Sequence, residues 1–402
     1  MQILVVNSGS SSIKFSIFAL DAEDDAPRSL LEGELSGIGD AESTLNVRAP
    51  GATPVARAIA LKDAKQAVAT VLDAISGDGM PEFEAVGYRV VHPGPRLRAH
   101  ARITPELLAE LEAASAFAPL HDPEAVQMIC AFLQRFPQLP HYACFDTVFH
   151  QTMPEEAKRY PLPPEYEERG VRRYGFHGLS CESVVWQMRR AGAVPRRMVI
   201  AHLGSGCSVT ALLDGRSVEN TMGLTPTGGV VMGTRSGDLD PGLVLYLLRE
   251  TTGAADPVAN VETLLNHASG LVALSGLEND VKAMRAAAKS DDKRAALALR
   301  IFARSIRKAM GAFCWVLGGL DAVVFSGGIG EHDASTRAEI LQGLDSLGLI
   351  IDEGLNQGVA GGIQPISSPI SQTAVFVVPS HEDEMIAMHV ERMVRGAGLA
   401  AV

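Results

Sequence analysis

Three polar, glycine-bearing turns each follow an apolar run. Asn7-Ser8-Gly9-Ser10-Ser11-Ser12 follows residues 3–6, Leu203-Gly204-Ser205-Gly206-Cys207-Ser208 follows 199–202, and Ser326-Gly327-Gly328-Ile329-Gly330-Glu331 follows 321–325. Glycine lets backbone N–H groups come close to an anion and serine adds a hydroxyl donor, so such turns suit phosphate oxygens. None is a G-x-x-x-x-G-K-[ST] loop, and no G-x-G-x-x-G fingerprint occurs. A lone turn of this kind reads as an ordinary hairpin. Three of them, the first with Lys14 close behind, favour phosphate. Arg89 ends an apolar run, Tyr88-Arg89-Val90-Val91-His92, and Arg235 sits in a glycine-flanked turn, residues 232–238. Each is as well suited to a structural ion pair as to bidentate contact with phosphate or carboxylate. His177 stands between glycines in Tyr174-Gly175-Phe176-His177-Gly178, whereas His92 reads as a satisfied core histidine. Asp146, flanked by Phe145 and Thr147-Val148-Phe149, is expected to meet a basic residue or a hydrated metal, because buried acids are paired.

The elements that must position these groups are legible from periodicity. Residues 3–6 and 13–17 read as two strands, with Ile13, Phe15 and Ile17 on one face and Lys14 and Ser16 on the other. Val68, Val71, Leu72 and Ile75 predict a helix over 64–76. Thr104-Pro105 and Asp122-Pro123 look like an N-cap followed by proline at the first helical position. The segment 159–175 reads as an exposed connection. Residues 198–213 repeat the N-terminal strand–turn–strand after an offset of about 195 residues. A helix over 293–316 leads to a strand at 321–325 and a glycine turn that opens another helix. Two similar halves suggest a duplicated α/β domain with a nucleotide gripped in a cleft between the copies.

The 402 residues are 47% apolar and 20% charged, with 35 Lys and Arg against 47 Asp and Glu, a net charge of −12. That excludes intrinsic disorder and argues against a general nucleic-acid or anionic-membrane surface. An anionic substrate would require basic groups gathered locally. No signal peptide or membrane-spanning run is expected, and five scattered cysteines without C-x-x-C predict a reducing, cytoplasmic setting with neither disulfides nor zinc.

On several strings the chain resembles the acetate kinases of the acetokinase family, with an actin/hexokinase/Hsp70-like ATPase fold. The strings are residues 7–15, Arg89-Val90-Val91-His92, 145–154, 173–178, 232–241 and 324–331. The resemblance implies an α/β fold of two ribonuclease-H-like domains, 1–148 with 385–402 and 149–384, and an interdomain cleft. It implies reversible transfer of the ATP γ-phosphoryl group to acetate, giving ADP and acetyl phosphate on the way to acetyl-CoA, with Mg²⁺ or Mn²⁺, by a homodimer. It places Asn7 and Glu382 at the metal, and Asp146, His177, Arg235 and Arg89 at the reaction. Arg89, Val91, Leu120, Phe176 and Pro226 match the acetate site. At the nucleotide it places Ser10, Ser12, Lys14, His202, Leu203, Gly204, Ser205, Gly206, Asp280, Val281, Lys282, Gly328, Ile329, Gly330, Glu331 and His332. Ser205, Cys207, Val281-Lys282 and His332 depart from the family's usual residues, so another donor such as pyrophosphate is an alternative, as is propionate or another short acid as acceptor. A nucleotide switch that merely keeps the fold would not need Arg89, Asp146, His177 and Arg235 together. Acetate is already an anion at pH 7, so Asp146 is expected to orient Arg89 or a metal-bound water rather than act as a base.

Overall fold

A computed structural model describes residues 1–9, 12–21, 26–38, 42–49, 53, 55–61, 63–77, 79–114 and 122–396. Ser10 and Leu120 lie outside them. By its contacts the chain divides into Met1–Val148 with His381–Val402, and Phe149–Ser380.

The first unit opens with β1 (Gln2–Ser8), β2 (Ser12–Ala19), β3 (Arg28–Ser36), β4 (Ser43–Arg48) and β5 (Val55–Ile59). Helix α1 (Ala64–Ile75), β6 (Ala85–Val90), β7 (Ala101–Arg102), α2 (Pro105–Ala114), α3 (Asp122–Arg135) and β8 (His141–Phe145) follow. Of the two expected caps, Thr104 is in place ahead of α2, while Asp122 falls inside α3; α1 is capped by Asp63. The Asp63 carboxylate accepts from Gln66 N at 2.9 Å ahead of α1, and Thr104 Oγ1 accepts from Leu107 N at 3.2 Å in α2. These bonds satisfy amides that a helix start leaves open. The strands order β5-β4-β3-β2-β1-β6-β8-β7. The β1–β2 and β2–β3 pairs are antiparallel, while β1, β6 and β8 are mutually parallel. Ile13, Phe15 and Ile17 enter the core with Leu35, Tyr88, Phe132 and Phe145.

The second unit contains the short helices α4 (Glu155–Lys158) and α5 (Pro164–Glu168), then α6 (Gly178–Arg190), β9 (Arg197–Leu203), β10 (Cys207–Leu213) and β11 (Arg216–Asn220). Helices α7 (Pro241–Glu250), α8 (Pro257–His267), α9 (Gly270–Ser275), α10 (Val281–Lys289) and α11 (Lys293–Val316) come next. β12 (Ala322–Ser326), α12 (Gly327–His332), α13 (Ala334–Leu341), α14 (Glu353–Gln357), β13 (Gln364–Pro365) and β14 (Ala374–Val377) complete it. Its sheet orders β11-β10-β9-β12-β14-β13. The five strands β11-β10-β9-β12-β14 repeat β3-β2-β1-β6-β8 in order and direction. The duplication inferred from two hairpins therefore extends to the whole sheet core. The second hairpin closes Leu203 on Cys207, one residue tighter than Ser8 on Ile13.

Two local expectations change. The segment 159–175 is not featureless, because Pro163-Pro164 starts the single-turn α5. Gly327, Gly328 and Gly330 do not precede a helix but form α12 itself. Gly327, at φ 75°, packs so closely that a Cβ would lie 2.8 Å from Leu203 O.

The last helix, α15 (Glu382–Val394), returns to the first unit. Gly87 of β6 lets it seat: a Cβ there would come 2.7 Å from Val390 Cγ2 and 2.8 Å from Ile386 Cγ2. Because α15 covers this face of the sheet, Ser16 is buried rather than solvent-facing and donates to Asp383 Oδ2 at 3.2 Å. The return thus begins at His381, and 381–384, which the sequence places in the second unit, lie with the first.

Candidate active site

In the first unit, register lines the polar groups up. Asn7 lies opposite Lys14 across the β1–β2 pair, and Val6 opposite Tyr88 puts Arg89 beside Asn7 at the carboxyl ends of parallel β1 and β6. Asp146 follows the end of β8, its N–H donating to Val90 O at 3.2 Å. In open α/β sheets such strand ends are where ligands bind. Arg89 Nε donates to both carboxylate oxygens of Asp146 at 3.1 Å, and Nη2 donates to Oδ2 at 2.5 Å. Its Nη1 donates to Asn7 Oδ1 at 3.3 Å, and Glu382 Oε2 lies 3.8 Å from Nε. Asn7 Nδ2 donates to Asp383 Oδ1 at 3.1 Å and to Glu382 Oε2 at 3.4 Å. His381, held at φ 37°, turns the chain into α15 so that Glu382 and Asp383 open the helix at this point.

Asp146 is the residue predicted to meet a cation, and it meets Arg89. Burial pushes its carboxyl up and Arg89 pulls it back, leaving it above the usual range. Burial works against the Arg89 charge, but Asp146 and Glu382 outweigh it and hold the guanidinium charged. Asp383 was not singled out from sequence. Burial pushes it up, and neighbouring Glu382 adds to that, against the pull of Asn7, Lys14 and Ser16. Three carboxylates here face two cations, Arg89 and the exposed Lys14. That surplus of negative charge and the hard oxygen donors of Asn7, Glu382 and Asp383 fit Mg²⁺ or Mn²⁺. Val91 is buried one residue past β6. Ser12 starts β2, its carbonyl accepting from Gly9 N at 2.8 Å.

In the second unit, His177, at φ 58°, caps α6. A non-glycine residue in this region is uncommon, and such backbone strain clusters at active sites. Its Nδ1 is 2.9 Å from Ser208 Oγ, and its ring stacks on His202 with centroids 4.2 Å apart. His202 Nδ1 is in turn 2.7 Å from Ser180 Oγ. Gly206 is the convergence point. A Cβ there would lie 3.3 Å from His177 Nε2 and 3.5 Å from Arg235 Nη1. Arg235 Nη1 donates to Pro226 O at 3.1 Å, joining a catalytic candidate to a residue expected at the acetate site. Gly206→Ala is expected to displace the His177 ring by a few tenths of an ångström, fill the space beside Arg235, and lower kcat about tenfold or more without unfolding the chain. Circular dichroism melting and initial rates check this; unchanged kcat would show that His177 and Arg235 need no such space.

Phe176 is buried before His177, and its carbonyl accepts from His150 Nε2 at 2.8 Å and Asn220 Nδ2 at 3.2 Å. Gly175, at φ 74°, permits this packing: a Cβ would meet His150 Cγ at 2.8 Å and Asn220 Cβ at 3.0 Å. Burial keeps the His150 ring neutral, so with Nε2–H donating to Phe176 O, Nδ1 accepts from Ser217 Oγ at 2.8 Å. Burial pushes its pKa down to about 4, against the Phe176 bond. The unfolded ring, near 6.5, takes a proton first. Stability is therefore intact above pH 6.5 and falls as pH drops toward 4, by on the order of 3 kcal/mol. Urea midpoints of wild type and His150→Asn between pH 6.5 and 5 read this, the variant showing the shallower slope that the buried His100 and His141 leave. His150 lay within the sequence string but carried no assigned role; only its partners reveal it as the brace behind Phe176.

Cys207, a departure from the family pattern, is buried, donates to Gly204 O at 3.2 Å and is pushed up to about 12 by burial, so it packs rather than reacts. Leu203 is buried in β9, Ser205 is exposed at the hairpin tip, and Gly204 N donates to Gly206 O at 3.0 Å. Asp280 caps α10, accepting from Lys282 N and Ala283 N, which commits part of its carboxylate to the helix start; Val281 and Lys282 form the first turn. Gly328, Ile329, Gly330, Glu331 and His332 make up α12 at the carboxyl end of β12. Glu331 Oε1 accepts from Ser380 N at 3.1 Å, and the buried Arg337 donates to the carbonyls of Gly330 and Glu331.

Comparison with known proteins agrees with this geometry. The sequence profile of the Acetokinase family matches residues 2–388. An acetate kinase of Clostridium botulinum (strain Langeland) is 40% identical over 397 residues, 96% of this chain and 98% of that one. An acetate kinase of Rhodopseudomonas palustris is 39% identical over 399 residues, 98% of each. Among solved structures, Porphyromonas gingivalis acetate kinase superposes with a TM-score of 0.84 at 33% identity, covering 98% of this chain and 99% of that one. A propionate kinase from Francisella tularensis gives 0.86 at 34% identity, covering 96% and 98%. With its duplicated α/β sheets, its Arg89–Asp146 clamp and a match along nearly its whole length, this chain belongs to the acetokinase family.

Proposed function

We propose that this protein transfers the γ-phosphoryl group of ATP to acetate, reversibly, forming acetyl phosphate and ADP. The observation that carries the reading is Arg89, held bidentate by a buried Asp146 beside Asn7 and Glu382, in a chain of this family. The nucleophile is already charged at pH 7 and needs no base. The barrier lies in bringing two anions together and spreading charge over the moving group. Arg89 presents a fixed fork to the acetate carboxylate, and Asp146 keeps that fork oriented. His177 and Arg235 donate to the transferring group, and Lys14 and the turns 204–206 and 328–331 serve the nucleotide phosphates. Asp280, Val281, Lys282 and His332 face the rest of the nucleotide. Asn7 and Glu382, with Asp383, hold Mg²⁺ or Mn²⁺, which when bound offsets phosphate charge.

Val91, Phe176 and Pro226 form the apolar side of the acetate site in this reading. The propionate kinase likeness supports a second acceptor. One methylene is worth about 1–3 kcal/mol in such a pocket, so propionate is used about 10- to 200-fold less well. A hydroxamate assay across acetate, propionate and butyrate, with ATP, GTP and pyrophosphate as donors, tests both ends of the reaction. Acetate with ATP is expected to lead; butyrate or pyrophosphate turning over faster would overturn the assignment. A cytoplasmic homodimer accompanies the proposal. It is supported by five free cysteines and by exposed Leu243, Leu245 and Tyr246 on α7 with Val258 on α8. Among the described residues no helix is long and apolar enough to cross a membrane.

A further inference from the structure

Between residues 282 and 308 the acidic chain carries nine Lys and Arg against two Asp. The fold gathers five of these cations, Arg285, Lys289, Arg300, Arg304 and Arg307, around a groove of about 810 Å³ among α10, α11 and α13. That volume is in the range of small-molecule sites. Among its described lining residues the one acid is Glu339, and Arg285 already neutralises it, with Nη1 and Nη2 at 2.9 and 3.0 Å. Arg285 also pairs with Asp333. Arg307 is held by the carbonyls of Glu339, Ile340 and Gln342. The side chains of Lys289, Arg300 and Arg304 are exposed and make no ion pair or hydrogen bond among the described residues. Arg300 and Arg304 are one helical turn apart, about 6 Å along the axis, where like charges cost helix stability. Ala288, Ala296 and Ala303 keep the floor of the groove low.

We propose that this groove is a second anion site that binds a polyphosphate chain, either free or as the phosphate tail of a nucleotide. The arginine forks suit phosphate oxygens. With Arg285 shared between Glu339 and Asp333, the five cations and two acids leave a surplus of about three positive charges, more than a dicarboxylate neutralises. The site differs from the nucleotide positions in residues and does not depend on the proposed reaction.

Isothermal titration of the full-length protein with inorganic tripolyphosphate, at saturating ADP to occupy the nucleotide positions, is expected to show one tripolyphosphate per chain. Affinity should fall as salt is raised. Arg300→Gln with Arg304→Gln should weaken it about tenfold or more, two charged hydrogen-bonding partners being lost. These exposed substitutions keep helix-forming residues, so melting and kcat should stay within about twofold of wild type in the assay. In a parallel arm with ATP, a second equivalent bound by wild type and lost in the double variant identifies a nucleotide tail; tripolyphosphate binding alone identifies a free chain. No binding above the ADP-blocked background, or equal binding by the double variant, would leave only a solvated basic face and overturn the proposal.

Discussion

Arg89→Ala lowers kcat for acetyl-phosphate formation by about 10²–10³, the effect of removing one preorganised donor from a developing charge, about 3–4 kcal/mol. The structure adds a second consequence. Asp146 is 1% exposed and its carboxylate is engaged by three guanidinium contacts. Stripping the cation from a buried pair costs about 3–5 kcal/mol of stability. Activity and melting temperature should therefore fall together in Arg89→Ala. Asp146→Asn separates the two effects, since it keeps shape and loses only the charge that aligns the fork. It should cut kcat while leaving the pH–rate profile of the wild type in place. A pH limb present in wild type and abolished by Asn would instead make Asp146 a proton acceptor. Near-normal kcat in Arg89→Ala would remove the central cation from the mechanism.

Arg235→Ala is expected to lose a comparable 10²–10³ in kcat with a much smaller change in stability. Arg235 is half-buried, and its bond to Pro226 O is a neutral-acceptor contact whose loss costs about 1–3 kcal/mol. Transition-state stabilisation predicts that kcat falls while KM for acetate stays close to wild type. Arg235→Lys restores the charge without the planar fork, so recovery should be partial. A pure rise in KM would recast Arg235 as a ground-state contact. Because Gly206 sits against both His177 and Arg235, the double variant His177→Ala with Arg235→Ala should show less than the product of the single losses.

Much of this is legible in the amino-acid sequence. Alternation in 13–17, the 3.6-residue period of 64–76 and the Thr104-Pro105 start are local codes, and local codes survive into the structure. The match between residues 7–14 and 202–209 exposed the duplication because both copies must make the same hairpin. Less local facts were not legible. Ser16 alternates like a solvent-facing residue, yet it is buried because α15, more than 360 positions away in the chain, covers that face. Asp383 reads as one acid in a charged helix start until Asn7 and Ser16 are seen on either side of it.

What the sequence determined alone was chemistry and period: which residues could carry charge to a phosphate, which turns could cradle it, and that the chain is built twice. What only the tertiary structure decided was pairing. Arg89 could have met any carboxylate; strand register and the end of β8 give it Asp146. The cations of residues 282–308 could have been dispersed; the packing of α10, α11 and α13 brings five of them around one groove. Hydrophobic period is encoded by neighbours in sequence, whereas a partner for a charge is fixed by sheet order and helix return, which bring together residues far apart along the chain.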